Sequence, residues 1–408
     1  MEWAILIFKK EKRSFRKVRM DASGRMGQRS SLLEKALQVR LTGCYSTMRL
    51  TRKHHKSAIF RKIGRGRNMQ AARVHNAGVL RLHEEPVPTP GPGETLVRVT
   101  AVGICGSDIH WWKEGHIGGD WITNPLILGH ECAGVIESGT RKGERVAIDP
   151  AIPCLRCEFC QEGSQNLCSN LRFTGHAPVD GALRQYIAWP EHCLFPLPDT
   201  MSDVEGVMLE PLGVALYSVD RGDVRPGMSV GVFGCGAIGL SVIQVARAAG
   251  ATRIFATELP GLHHRIKAAQ SFGATVFEAK EGQEAMEILQ ATGGRGVDVA
   301  FEAAGDPEAV EAAVATVKPG GQAILIGIAK ENRTSFTAST ARSKDLIIKV
   351  IHRMKHTYPR CIQMVASGSV DMNALVTHHF PLSEVAQAYS IAESRAGIKV
   401  IIGCQAIK

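Results

Sequence analysis

MSVGVFGCGAIGLSVIQVARAAGATRIFATE, residues 228–258, is the stretch on which the fold of this 408-residue chain turns. MSVGVFG (228–234) is continuously apolar, as a strand buried on both faces must be, and LSVIQVARAAGA (240–251) reads as a helix apolar on most sides. RIFATE (253–258) is the next strand. Between the first strand and the helix lies Gly234-Cys235-Gly236-Ala237-Ile238-Gly239, a GxGxxG turn. Gly234 permits the tight turn, Gly236 lets backbone approach a pyrophosphate, and Gly239 lets helix and strand pack closely. Ala237 and Ile238 open the helix, whose N-terminus attracts phosphate charge. Glu258 follows 19 residues after Gly239, at the end of the next strand. A carboxylate there accepts hydrogen bonds from the ribose hydroxyls of NAD and repels the extra phosphate of NADP.

Outward from this stretch the alternation continues. VDVAFEAAG (297–305) and QAILIG (322–327) read as strands, and EAVEAAVATVKPGG (308–321) as a helix stopped by Pro319 and Gly320. Strand and helix in alternation predict an α/β, doubly wound parallel sheet over residues 215–345. Residues 69–214 have another rhythm, with TLVRVTAVGI (95–104), AGVIES (133–138), RVAID (145–149) and ALRQYIAW (182–189) as short strands. Turn signals such as Pro90-Gly91-Pro92-Gly93 and Asp180-Gly181 separate them, which predicts a mostly β domain. Residues 346–408 return to a mixed pattern and close on a strand, KVIIG (399–403).

Two cysteine-containing segments read as metal sites of different kinds. Cys154, Cys157, Cys160 and Cys168 form C-x2-C-x2-C-x7-C, four thiols able to close a tetrahedral zinc cage with no position left open. Cys105 in GICGSDIH, His130 and Glu131 in GHE, and Glu210 in LEPL offer sulfur, nitrogen and oxygen from distant segments, the pattern of an open, reactive zinc site. A zinc ion lowers the charge cost of deprotonating an alcohol, and a deprotonated alcohol gives up hydride far more readily. Ser107 and His110 are suitably typed for a proton relay to water.

The net charge of +10 is unevenly spread. Residues 1–68 carry 19 Lys and Arg against four acids, a net of +15, so residues 69–408 sum to −5. The basic leader reads in three ways: a disordered or wrongly assigned extension ahead of a domain start at Met69, an Arg-rich organelle presequence, or an arm for nucleic acid or a membrane surface. No apolar run reaches the 18 residues of a membrane span. Eleven cysteines, an odd number, without a secretory signal argue against a disulfide framework and for a reducing interior. The expected location is the cytoplasm, or the mitochondrion where the leader acts as a presequence.

With these motifs in hand the chain resembles the zinc-containing medium-chain alcohol dehydrogenases over about residues 70–405, through GICGSDIH, GHE, the four-cysteine lobe, GCGAIG and LVTHHFPL. Glu210, where ethanol-type members place a cysteine, and DIHWWKEGHIG (108–118) make it similar to the polyol branch: sorbitol, xylitol and L-arabinitol dehydrogenases. The resemblance implies a GroES-like β-rich catalytic domain joined to a Rossmann domain, NAD as cofactor, a small polyol substrate, and a homo-oligomer, dimer or tetramer. By the same resemblance Cys105, His130 and Glu131 hold the catalytic zinc, with Glu210 as fourth ligand or as the acid that positions a water there. Arg265 contacts the adenosine side of NAD, Arg353 orients the polyol, and Trp111 stands where relatives carry a substrate-contacting tyrosine.

The chain also departs from the pattern. Only 11 residues, Cys132 to Lys142, separate Glu131 from GERV (143–146), which reads as a shortened hairpin or a faulty gene model. The loop after Glu258, PGLHH (260–264), is about two residues longer than usual, and Met354 follows Arg353 where a tyrosine is common. Two further functions stay open: a dehydrogenase of the same architecture for threonine, a butanediol or a sugar acid, and a nucleic-acid-associated zinc protein that uses the basic leader.

Overall fold

The computed structural model describes residues 67–405, so the basic leader lies outside the described residues except for Arg67 and Asn68. Asn68 already opens the first strand, Asn68–Asn76, which forms a hairpin with Val79–Pro86. Among the described residues no helix is long and apolar enough to cross a membrane.

The β-rich body is built around one strand, Glu94–Gly103, whose alternating burial is that of a sheet with a single core face. It pairs antiparallel with Glu131–Ile136, Tyr186–Pro190 and Lys399–Gly403, which brings residues from both ends of the chain into one seven-stranded sheet. The segment after Glu131 is a tight antiparallel hairpin between Glu131–Ile136 and Arg145–Ile148. Its turn is closed by an Arg141–Glu144 ion pair.

The second body is a six-stranded, all-parallel sheet. In space its strands run Thr275–Glu278, Arg253–Glu258, Ser229–Phe233, Val297–Glu302, Val317–Leu325, Ile347–Val350. Counted along the chain that order is 3-2-1-4-5-6, which reverses between Ser229–Phe233 and Val297–Glu302 and opens a crevice at their carboxyl ends. The doubly wound Rossmann sheet and the GroES-like body are as expected from the sequence. The sheet nevertheless runs past the expected edge at 345, because Ile347–Val350 adds the sixth strand.

Two local expectations shift. The helix expected over 308–321 spans Pro307–Thr316, and the next strand begins at Val317, so Pro319 and Gly320 lie inside the strand. They are accommodated by a register shift between Val297 and Val299, where the chain bulges and no ladder amide is required of proline. The helix expected over 240–251 begins on the glycine turn itself, at Ala237, and ends at Ala248.

A helix absent from the sequence reading joins the two bodies. Along the described residues the first four α-helices are α1 (Gly106–Glu114), α2 (Glu158–Gln161), α3 (Asp203–Arg221) and α4 (Ala237–Ala248). Helix α3 starts at a capping box in which Ser202 and Glu205 satisfy each other's amides. Twelve of its nineteen residues are buried, so it is an interior element and not a cover. It packs on α4, on the strand Glu131–Ile136 and on the helix Tyr358–Ala366. Gly206 is required there, since a Cβ would come 2.5 Å from Leu197 and 3.1 Å from Ala133. Pro211 hides α3 from a sequence reading, because an interior proline normally ends a helix.

Within the glycine turn the third glycine carries the tightest constraint. A Cβ on Gly239 would lie 1.8 Å from the carbonyl oxygen of Gly234, whereas one on Gly236 would meet nothing closer than 3.9 Å. Gly239→Ala is therefore expected to cost about 3 kcal/mol of folding stability, and Gly236→Ala less than about 1 kcal/mol. Urea unfolding of the two variants beside the parent checks this; equal losses would contradict it.

Candidate metal and cofactor site

Helix α1 begins immediately after Cys105, which is its N-cap residue. Asp108, in the first turn, turns its carboxylate back so that Oδ2 accepts the amide of Cys105 at 3.0 Å. Its other oxygen, Oδ1, accepts the amide of Gly129 at 3.1 Å and lies 3.6 Å from Nδ1 of His130. Asp108 is fully buried. One carboxylate therefore positions two segments at once and turns the His130 ring. Burial disfavours the charged imidazole, but Asp108 and Cys105 outweigh it and hold the His130 pKa well above its ordinary value.

Glu131 follows on the strand and points into a space left by Gly103, where a Cβ would approach its Oε2 to 2.2 Å. Both its oxygens accept from Nζ of Lys399, at 2.7 and 2.6 Å, and Lys399 also donates to the carbonyl of Ile104. This ion pair is buried, with Glu131 1% and Lys399 4% exposed. Burial pulls the Lys399 pKa down, but Glu131 and Cys105 raise it overall.

Cys105, His130 and Glu131 each bring a ligand atom within 4.8 Å of the other two. Sulfur, nitrogen and oxygen in that arrangement fit a zinc ion with a position left for another ligand. Glu210 stands outside this triplet, buried on α3. Burial and Glu131 push its pKa up to about 7, against the opposing pull of His130 and Lys399.

Ser107 and His110 lie three residues apart on α1 and so share a face of it. His110 Nδ1 is 3.3 Å from Glu114. Arg353 sits in the left-handed region at φ 56, a strain of about 1–3 kcal/mol for a residue with a Cβ. Its guanidinium lies 4.0 Å above the Phe173 ring, and Phe173 in turn packs against His130 at 5.4 Å between centroids. Trp111, which the resemblance sets near the substrate, is a buried residue. It is 1% exposed, in the core of the β-rich body, because the apolar face of α1 needs it there.

Cys154, Cys157, Cys160 and Cys168 bring their sulfurs within 4.8 Å of one another. The Cys154 amide donates to Cys168 Sγ at 3.2 Å, and Cys157 and Cys160 are 3.5 Å apart. The backbone amides of Arg156 and Cys157 pull Cys154 down to about 6, and burial pushes Cys160 up to about 12. Four crowded sulfurs fit a single zinc ion at their centre. The lobe also braces the Arg353 segment: Asn166 Nδ2 donates to the carbonyl of His352 at 2.9 Å, and Lys355 reaches Ser164 at 3.2 Å.

At the glycine turn, Glu258 accepts the amide of Cys235 at 3.0 Å and that of Leu259 at 2.8 Å. The carboxylate thus ties the end of its strand to the turn. Arg265 lies 3.7 Å from Glu258, and its other nitrogen donates to the carbonyl of Gly397 at 2.9 Å. Gly236 faces Arg265, leaving open the side from which a pyrophosphate would approach.

Sequence reasoning missed Asp108, Phe173 and Lys399. Asp108 carried a signal, an acid three residues after the N-cap. Lys399 is 268 residues from Glu131 and carried none.

Residues 91–199 match the alcohol dehydrogenase GroES-like domain, and residues 237–367 the zinc-binding dehydrogenase family. The sorbitol dehydrogenase of Bacillus subtilis (strain 168) is 39% identical, over 79% of this chain and 92% of that protein. The probable D-xylulose reductase A of Emericella nidulans is 36% identical, over 80% and 94%. Among solved structures, an alcohol dehydrogenase from Escherichia coli CFT073 complexed with NADH superposes with a TM-score of 0.76 at 27% identity, covering 83% of this chain and 100% of that one.

The buried Lys399–Glu131 pair makes a direct test of the packing behind the triplet. Lys399→Met strands a buried carboxylate and is expected to cost about 3–5 kcal/mol, most of it regained in Lys399→Met/Glu131→Gln. Urea unfolding at matched zinc content measures the coupling, and additive losses would contradict the pairing.

Proposed function

The chain belongs to the zinc-containing medium-chain alcohol dehydrogenases, and from that premise we propose that it oxidises a secondary hydroxyl of a sugar alcohol to the ketose with NAD as hydride acceptor. The observation that carries this reading is the convergence of Cys105, His130 and Glu131 within 4.8 Å on a chain that also bears the dinucleotide turn. Bound by these three residues, zinc would supply the Lewis acidity that makes the alcohol proton easy to lose.

The chain's own groups do the rest. Asp108 holds the His130 ring with one nitrogen facing the metal position. Glu210, outside the triplet and with its pKa raised by burial, would hold a water there, a reading its exclusion from the triplet favours over that of a fourth direct ligand. Ser107 and His110, on one face of α1, form the path by which the alcohol proton leaves. Arg353 orients the polyol from its seat on Phe173.

Gly234, Gly236 and Gly239, with the first residues of α4, Ala237 and Ile238, receive the pyrophosphate. Glu258 takes the ribose hydroxyls, and Arg265 lies beside it on the adenosine side. The catalytic body comprises 69–214 and the C-terminal return, and the cofactor body begins near 215. The edge strand Ile347–Val350, with Ile347 50% and Val350 75% exposed, supports a homo-oligomer in which a second copy continues the sheet.

NAD reduction, followed with xylitol, sorbitol, L-arabinitol, L-threonine, 2,3-butanediol and a sugar acid, tests the reading. A polyol is expected to have the highest kcat/KM; threonine, butanediol or the sugar acid in first place would transfer the protein to the other branch. Asp108→Asn should weaken zinc binding at the triplet about 10–100-fold while the four-cysteine zinc stays. Metal analysis after graded chelation reads this out, and parallel loss of both ions would show unfolding instead.

A further inference from the structure

The turn that carries Phe173 also carries a histidine that the reaction as outlined above does not use. His176 closes this turn, its amide donating to the carbonyl of Phe173 at 3.3 Å. The turn is pressed onto the metal-ligand segment: a Cβ on Gly175 would lie 3.0 Å from the carbonyl of Gly129, the residue before His130. So Phe173 and His176 leave one short turn towards the same surface, beside His130.

Two contacts fix the ring of His176. Its Nε2 is 3.0 Å from Oδ2 of Asp120, and the ring packs edge-to-face with Trp111, centroids 5.1 Å apart at 85°. Trp111 is buried beneath it while His176 is about a quarter exposed, so the ring that reaches the surface at this point is the imidazole. Asp120 lies on the short hairpin formed by His116–Ile117 and Asp120–Trp121. That hairpin approaches the Asn332 side chain, which a Cβ added at Gly118 would meet at 3.7 Å. His176 therefore stands between the segment that precedes His130 and the hairpin that carries Asp120.

We propose that His176, held by Asp120, reads hydroxyls of the substrate beyond the reacting carbon, and so selects polyols over simple alcohols. The argument is one of complementary hydrogen bonding. Asp120 accepts from Nε2–H, which leaves Nδ1 as an acceptor, and Nδ1 has no hydrogen bond among the described residues. Burial lowers the His176 pKa, with Asp120 opposing and Arg353 adding to it, which favours the neutral ring with Nδ1 accepting. Arg353 offers only donors. A chain of adjacent hydroxyls donates to one and accepts from the other, whereas an alcohol without them leaves both unsatisfied. Sites built to hydrogen-bond a hydroxyl reject analogues that lack it more strongly than apolar pockets do.

This rests on the polyol reading, and the experiment separates the two. Steady-state NAD reduction is measured with xylitol, sorbitol and propan-2-ol for the holoenzyme and for His176→Phe, His176→Gln and Asp120→Asn, each with matched zinc content and thermal midpoint. His176→Phe should raise KM for both polyols about tenfold or more with kcat within about threefold, so that the ratio of polyol to propan-2-ol kcat/KM falls at least tenfold. His176→Gln, which keeps an acceptor, should recover part of that ratio, and Asp120→Asn should lose a smaller part. A ratio left intact by His176→Phe, or a fall in kcat alone, overturns the inference. Where His176→Phe fails to fold, an intact ratio in both His176→Gln and Asp120→Asn overturns it as well. A parent enzyme that oxidises no polyol refutes the broader reading instead.

Discussion

The carboxylate of Asp108 makes three connections from a fully buried position: to the amides of Cys105 and Gly129, and to Nδ1 of His130. An isolated carboxylate in such a place costs several kcal/mol, and hydrogen bonds to a charged group return about 1.5–3 kcal/mol each. The anion is therefore tolerable only while both segments stay in contact with it. That condition couples the start of α1 to the loop before Glu131 in the absence of any metal. A zinc ion arriving there would meet sulfur and nitrogen already in place, with the cost of gathering them met by the fold.

A second level of constraint brings the remaining groups to that centre. Helix α3 contributes to the packing of both bodies and carries Glu210, buried and near enough to His130 and Glu131 to feel their charges. Gly213 on the same helix lets the segment after Arg353 dock closely, since a Cβ would meet Met354 at 2.2 Å. The four-cysteine lobe braces the other side of that segment through Asn166. The closed cage and the open triplet are thus not independent ornaments of the chain. The cage stiffens the strained loop that carries Arg353, and Arg353 rests through Phe173 on His130.

Much of this was legible in the residues. The glycine turn, with a strand before it and an acid at the end of the next strand, fixed the parallel sheet, since each glycine answers a local steric demand. The cysteine spacing announced the lobe for the same reason: its ligands are close in sequence. What escaped was held by distance. Lys399 meets Glu131 only because the last strand returns beside Glu94–Gly103. Helix α3 was masked by Pro211, whose local penalty is overridden by eleven other buried residues along the helix. The burial of Trp111 was not legible either, since it depends on which face of α1 turns inward and on His176 packing against it.

Zinc K-edge absorption on the purified, fully metallated protein and on its Cys160→Ser variant tests the central claim most directly. Two populations are expected in the parent protein, one ringed by four sulfurs at about 2.3 Å and one with a single sulfur and lighter donors at about 2.0–2.2 Å. Disabling the cage should leave the mixed shell as the dominant signal. A shell of sulfur alone in the parent, with no nitrogen or oxygen component and one zinc per chain, would contradict an open catalytic metal beside the dinucleotide crevice.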